Sequence, residues 1–431
     1  MLAKWLARVD VFLYAYLVMV LGCIYFLFNY IEGISFTERA GESVLFRGCW
    51  LVLYLLLLLQ ILRHSHSFIL LLSRSHLFLI FILLAVASQL HSESADAGYV
   101  KFAMYLATVL FGAFLSVSCS ADELVEALFR IGAVTLVVHV LLLPIIGADF
   151  SYDALHRVTI LGTEAYAGIF GHKNLAGAFF GLMVIVSLVR ALAGRRSQRR
   201  LSGGVAACHM LALAATGAAG PLVSLLATLA VTFGLALIVI GRRDLAAFYW
   251  LLLGFAGLAI LAVPTEWLYG LVGRTANLTG RSFLWSVWPH FFWQHPWLGY
   301  GFSGFFNGLD NAPSAELTRM APWNTEFGSF ENSYLDALLQ FGLLGGGLYL
   351  LLVVAAVWNV IAFAFRASGM FWLAPFAILI FIIITSLNDS SQLLHNYFGC
   401  VLVFWCYFGP EAQLGRSTMA LSRLSLRDLR T

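Results

Sequence analysis

The chain is apolar in runs of bilayer-spanning length almost from end to end, and few folds can absorb such runs. About 20 consecutive apolar residues cross a hydrocarbon core as a helix. Backbone N–H and C=O groups facing lipid must then be bonded within the segment itself, which a helix does unaided. A transmembrane barrel would instead alternate apolar and polar positions, whereas LVLYLLLLLQIL at 51–62 and LVSLLATLAVTFGLALIVI at 222–240 are continuous. Of 431 residues 61% are hydrophobic and 11% charged, against about a quarter charged in a soluble domain. A water-soluble multidomain protein is excluded.

The expected fold is all-α, a single polytopic membrane domain over 1–431 with about 12 transmembrane helices. The spans read as 11–29, 44–61, 74–90, 99–118, 125–147, 172–190, 204–217, 221–240, 246–264, 335–363, 370–387 and 393–409. The seventh is short and rich in Ala and Gly, and small side chains suit it to a close hairpin with the eighth. Lys4 and Arg8 precede the first apolar run as in a signal peptide, but no small-residue cleavage site follows, so this is read as a retained first helix.

Charge orients the bundle. With the N-terminus cytoplasmic, the inside loops hold most of the arginines, above all the run from Arg190 to Arg200, and the outside set is half as large. Both termini are then expected in the cytoplasm, with one large loop at 265–334 on the outer side. That loop is too long for a connector and carries Trp285, Trp288, Trp293, Trp297 and Trp323 among His290, His295, Glu316, Arg319 and Glu326. Two readings of these tryptophans compete, anchoring at the headgroup depth and stacking against sugar faces; Trp285 is the candidate for substrate contact.

Net charge is +3, with the basic residues scattered over short loops, so no nucleic-acid partner is expected. The six cysteines lie in or beside apolar runs without a CxxC pair and read as small core residues. No phosphate-binding loop, dinucleotide fingerprint or HExxH motif is present. No cofactor and no metal are expected, and energy for any bond formed must arrive in the substrate.

Three segments on the expected outer side carry the candidate chemistry. In the first, DALHRVTILGTEAYAGIFGHKNL from Asp153 to Leu175, Arg157 is either an anion ligand or a solvated charge. His172, Lys173 and Asn174 open the sixth span, where free backbone N–H groups favour anions; they read either as phosphate contacts or as a helix cap facing headgroups. Gly168, Gly171, Gly177 and Gly181 suit close packing. In the second, GRSFLWSVWPHFFWQHPWLGYGFSGFF from Gly280 to Phe306, a short helix is expected over Ser282–Phe292, then a break near Pro296 and a glycine-rich turn. Arg281 opens it, with a planar fork suited to phosphate oxygens. In the third, SFENSYLDALLQFGLLGG from Ser329 to Gly346, Glu331, Asn332 and Asp336 cluster. Glu331 is a candidate general base and Asn332 a candidate for a sugar hydroxyl, with an N-terminal cap as the alternative for both. TSLNDSSQLLHN near the C-terminus puts Asn388, Asp389 and His395 at the same boundary, either as a far wall of the cleft or as an ordinary loop between spans.

In this order GIFGHKNLAG, GRSFLWSVWPHFFWQHPWLGYGFSGF and ENSYLDALLQFGLLG resemble the O-antigen ligase and polysaccharide polymerase superfamily, in particular its exopolysaccharide-polymerase-like members. The resemblance implies a periplasmic glycosyltransferase that moves a glycan from a polyprenyl-diphosphate carrier to an acceptor hydroxyl without metal or nucleotide. It implies that Arg281 and Arg157 hold the diphosphate, and that the residue before the asparagine of the third motif is the base. The family commonly has histidine there and this chain has Glu331; the family's Ser/Arg-containing stretch has no counterpart in ATGAAGPLVSLLA. The expected partners are the lipid-linked glycan, the bilayer and other polysaccharide assembly or export proteins. The expected reaction is inverting polymerisation of lipid-linked repeat units. The alternatives are ligase-type transfer to lipid A core, a protein or another acceptor, and a polysaccharide transporter or assembly scaffold.

Overall fold

The computed structural model describes residues 9–32, 43–90, 92, 95–146, 166–262, 280–306, 311–322, 326–367 and 370–409. All regular structure among them is helical. The helices are α1 Val9–Val20, α2 Tyr25–Glu32, α3 Val44–Arg63, α4 Ser65–Ser73, α5 His76–Leu90, α6 Ala95–Ser118, α7 Ala121–Ile146, α8 Lys173–Ala193, α9 Arg196–Thr216, α10 Ala219–Val239, α11 Arg243–Ala262, α12 Arg281–Phe292, α13 Ala312–Met320, α14 Ser333–Arg366 and α15 Leu373–Thr385, then α16 Phe398–Gly409.

Six of them, α3, α6, α7, α8, α10 and α14, are long and apolar enough to cross a bilayer. The pair α4 and α5 is bent by 87° and makes a seventh if taken as one broken span. The molecule is therefore an all-α, multi-pass membrane protein. Against about twelve expected spans, length and composition support six or seven, for visible reasons. The first expected span is interrupted between Val20 and Tyr25. Helix α9 opens with Arg196, Arg199 and Arg200, and α15 and α16 are short.

Helix α8 is the central post, with nearly every side chain from Ala176 to Val189 buried. A helix apolar all round belongs inside other helices. It is approached closely because Gly177 and Gly181 carry no side chain: a Cβ would stand 2.7 Å from Ala218 at one and 2.7 Å from the Phe381 ring at the other. The outer helices divide their faces. On α3, Phe46, Trp50, Leu53 and Leu57 are buried while Leu51, Leu55, Leu58 and Leu62 are exposed, the stripe that meets lipid. The hairpin expected between the seventh and eighth spans is not the main contact of α9. Its buried residues Ser202, Ala206, His209 and Leu213 form one stripe at helical spacing, and that stripe packs along α8.

Helix α14 is two helical pieces joined at Gly342, whose φ of 65° and ψ of −169° break the ladder. The turn after α12 fills the break. Tyr300 and Gly301 donate their N–H groups to the Leu339 and Gln340 carbonyls at 3.0 and 2.9 Å, while Leu343 and Leu344 donate to the Pro296 and Trp297 carbonyls at 2.7 and 3.2 Å. Backbone groups that α14 cannot satisfy are thus bonded to another segment, the condition for irregular chain at such a site. A Cβ at Gly342 would fall 2.2 Å from the Trp297 carbonyl group, so the sequence needs glycine here twice over, for the positive φ and for the approach.

A second, smaller core hangs on this joint. Leu284, Phe291, Tyr300, Phe305, Leu317, Phe330 and Leu339 cluster apart from the main core and fasten α12, the turn, α13 and the segment before α14 to one another.

Candidate active site

Helix α12 begins directly after Gly280, so Arg281 is its first residue. The segment opposite is set by what surrounds Phe330, which is fully buried, contributing about 2 kcal/mol by its apolar area. Its N–H donates to Asp336 Oδ1 at 3.0 Å, and its carbonyl accepts the Trp285 indole N–H at 3.0 Å. The next residue, Glu331, is held at φ 53°, a left-handed conformation that costs a side-chain-bearing residue about 1–2 kcal/mol. Its N–H donates to Ser329 Oγ at 3.2 Å. Strain of this kind persists only where neighbours over-determine it.

That conformation turns Glu331 toward Arg281. The guanidinium donates from Nη2 to Glu331 Oε2 at 3.0 Å, with side chains 16% and 41% exposed. The buried Arg281 Nε has no hydrogen-bond partner among the described residues. Arg281 also lines a narrow cleft with Asn174, Gly220, Pro221, Thr385, Asn388 and Asp389. The cleft holds about 20 Å³, room for about one water molecule.

Three helix N-termini meet at this cleft. Asn174 is second in α8, Gly220 and Pro221 are second and third in α10, and Arg281 is first in α12. First-turn N–H groups and the helix dipole favour an anion there; the opposing group is the C-terminal end of α15 at Thr385. Asp389 stands by. Burial pushes its carboxyl up to about 7, Glu331 pushes the same way, and Arg281 partly offsets both.

Of the residues expected at the site, the structure brings together Arg281, Glu331 and Asn174, and adds Asn388 and Asp389 from the far wall. Others have different work. His172 caps α8, its Nδ1 accepting the Asn174 N–H at 3.2 Å, and Lys173 is buried. Asn332 is the cap of α14, its Oδ1 accepting from Tyr334 and Leu335 at 3.0 and 3.1 Å while its Nδ2 donates to the Leu387 carbonyl at 3.1 Å; it is occupied as a cap and tie, the alternative reading. Asp336 is 1% exposed and accepts from Phe330 N and Ser390 Oγ, so it braces the Glu331 turn from below. Trp285 spends its indole N–H on the same turn, and Trp288 donates to the Leu335 carbonyl at 3.0 Å. His290 pairs with Glu316 at 3.1 Å, tying α12 to α13. Arg157 and Trp323 lie outside the described residues.

Gly220 and Pro221 were not expected at the site. Their only signal was that a stretch without arginine stood where the resemblance called for a Ser/Arg segment. A second braced layer lies below. Ser333 Oγ donates to the Asp389 carbonyl at 2.9 Å and accepts the Gln392 N–H at 3.2 Å, and Gln392 joins Tyr334 and Tyr349 at 3.1 and 2.7 Å. These bonds fix the 386–392 turn against the top of α14.

The model of the family described as O-Antigen ligase matches residues 173–350. The match takes in Asn174, Arg281 and Glu331 and leaves Asn388 and Asp389 beyond its end. No curated protein matches the chain.

Proposed function

We propose that the chain, whose residues 173–350 match the family described as O-Antigen ligase, is a membrane glycosyltransferase of ligase type that transfers glycans from a polyprenyl-diphosphate carrier at the Arg281 cleft. The observation that carries this reading is an arginine whose Nε has no partner among the described residues, at the meeting point of three helix N-termini, an arrangement suited to an anion. We place that end of the bundle in the periplasm, since Arg190 to Arg200 lie at the opposite ends of α8 and α9. Residues 265–334 are then the large periplasmic loop and both termini are cytoplasmic.

A cleft with room for one water does not admit a diphosphate while the Arg281–Glu331 pair is closed. Donor binding therefore exchanges partners. The diphosphate takes the guanidinium fork, including the vacant Nε, and Glu331 is set free beside the bond to be broken. Glu331 accepts the proton of the incoming sugar hydroxyl. That oxygen bonds to the anomeric carbon as the bond from the anomeric carbon to the diphosphate oxygen breaks, and the pair of electrons leaves with the carrier. Arg281 and the helix N-termini offset the charge that collects there, with Arg157 and Lys173 as further cations. Attack from the side opposite the leaving group inverts the anomeric configuration.

The named family favours ligase-type transfer to a terminal acceptor over the polymerisation to which the sequence leans, and ligation is the reading adopted. Reconstitution with an undecaprenyl-diphosphate-linked repeat unit tests it, with products sized by gel and mass spectrometry. One transfer to a non-carrier acceptor, lost in Arg281→Ala and Glu331→Gln, supports the proposal. A product ladder on the carrier would restore polymerisation. Donor bound but no carrier diphosphate released under any acceptor would reject an enzyme at this cleft in favour of a transporter or scaffold.

A further inference from the structure

The tryptophans between Trp285 and Trp297 divide into two kinds. Trp285 and Trp288 are half-buried and spend their indole N–H groups on the Phe330 and Leu335 carbonyls. Trp293 and Trp297 face outward, 68% and 63% exposed. Bare indoles of this kind suit either a sugar face or the boundary between lipid and water.

Helix α14 shows where the hydrocarbon ends. Leu344, Leu351, Val354, Trp358 and Phe365 are exposed and fall on one face at helical spacing, a lipid-facing stripe. From Leu344 to Phe365 it runs about 32 Å at the helical rise, close to the thickness of the hydrocarbon core. Arg366 follows at one end, where a cation marks the inner surface. Toward the other end, exposed side chains on α14 stop at Leu343, because the turn after α12 lies over the helix there. The Pro296 and Trp297 carbonyls accept the Leu343 and Leu344 N–H groups at 2.7 and 3.2 Å. Trp297 therefore stands at the outer edge of the hydrocarbon, and Trp293 four residues earlier, where α12 ends. The polar groups beside Trp293 argue against a sugar: His290 is paired with Glu316 at 3.1 Å, and Gln294 is bonded to His290 and Tyr300 at 3.3 and 3.1 Å. Beside Trp297 lie Leu343 and Leu344, which offer a hydroxyl nothing.

We propose that Trp293 and Trp297 form an anchoring surface whose partner is the bilayer itself, seated where headgroups meet acyl chains at the Arg281 end of the bundle. The surface continues the lipid-facing stripe of α14 past the point where α14 is covered. Its consequence runs along α12, which has Arg281 as its first residue and Trp293 as its C-terminal cap over 12 residues, a strut of about 18 Å. The smaller core and the backbone bonds at Gly342 join α12, the turn and the top of α14 into one unit, so an anchored turn holds the Arg281–Glu331 pair at a set place over the membrane. The inference stands whether or not the cleft transfers glycans.

The test uses the full-length protein in phosphatidylcholine vesicles doped with lipids brominated either next to the headgroup or near the chain end. Tryptophan emission is recorded for wild type, Trp293→Phe and Trp297→Phe. The emission lost with each variant should be of the shallow kind, quenched about twofold more by bromine near the headgroup than by bromine near the chain end, and little by aqueous iodide. A second measurement needs no variant: a phosphatidylcholine with a diazirine beside its glycerol should label 293–298 of the wild-type protein, with the labelled peptides mapped by mass spectrometry. Emission from these two indoles that iodide quenches and neither brominated lipid touches would overturn the anchor, as would absence of label from 293–298. Iodide-quenched emission that added oligosaccharide protects would put a glycan in the place of lipid and overturn it equally.

Discussion

Among the described residues, Arg190 and Arg281 each pair with a glutamate at opposite ends of the bundle, and the two pairs are built to opposite specifications. Arg190 donates to Glu126 from Nε at 2.6 Å and from Nη2 at 3.4 Å, donates from Nη1 to Ser202 Oγ at 2.7 Å, and lies over the Phe129 ring at 4.1 Å. Glu126 is shared with Arg130 at 3.0 Å. All three nitrogens of that guanidinium are bonded, and its neighbours sit in ordinary helix. Among the described residues Arg281 makes one bond, to Glu331, with Nε unbonded, and it depends on a carboxylate held in a strained backbone. A saturated pair locks helices together; an unsaturated pair near a second carboxylate is ready to change partners.

The comparison can be broken by substitution. Glu331→Gln should lower kcat by about 10³-fold, the scale of a lost general base, with donor affinity kept or improved because a competitor for Arg281 has gone. Weaker donor binding in that variant would show that Glu331 does not compete. Arg281→Ala should cost about 10²-fold in kcat/KM, the scale of one lost electrostatic donor. Arg281→Lys should recover only part of it, since an ammonium lacks the fork. At the other end, Arg190→Ala should leave kcat per folded molecule unchanged and cost about 2 kcal/mol of stability, read as a lower Tm; this sits below the range for a fully buried pair because Glu126 is part exposed and keeps Arg130.

The smallest effect sharpens the contrast. Asp389 is pushed up to about 7 by burial, so it is mostly neutral below pH 7 and adds a negative charge beside Arg281 as pH rises through that value. Donor affinity should fall severalfold between pH 6 and 8, and Asp389→Asn should flatten the profile. The linked stability has the same sign, present in full at acidic pH and lost as pH rises through about 7.

The helices were legible because lipid imposes one rule, a long apolar run, and each expected run is helical over much of its length. What interrupts them was not. The 87° bend between α4 and α5 falls at Arg74 and Ser75, without proline or glycine to announce it. The break in α14 sits in a glycine-rich motif that reads as packing until a segment forty residues earlier is seen to bond into it. Arg281 and Glu331 stood out by residue type and motif, but their contact spans 50 residues and belongs to tertiary structure. Asp336 shows the limit most plainly. A carboxylate four residues from Asn332 invites a role at the substrate, and only its burial against Ser390 shows it bracing the turn from beneath.

The joint at Gly342 has a consequence for the order in which the chain is made. Synthesis runs from the N-terminus, so the turn at 296–301 leaves the ribosome before α14 does. When the upper piece of α14 arrives, the carbonyl and amide groups that complete its ladder are already present on chain made earlier. Helix α14 can therefore enter the bilayer with its break closed, without waiting for α15 or α16, and the last two helices dock onto a post that is already whole.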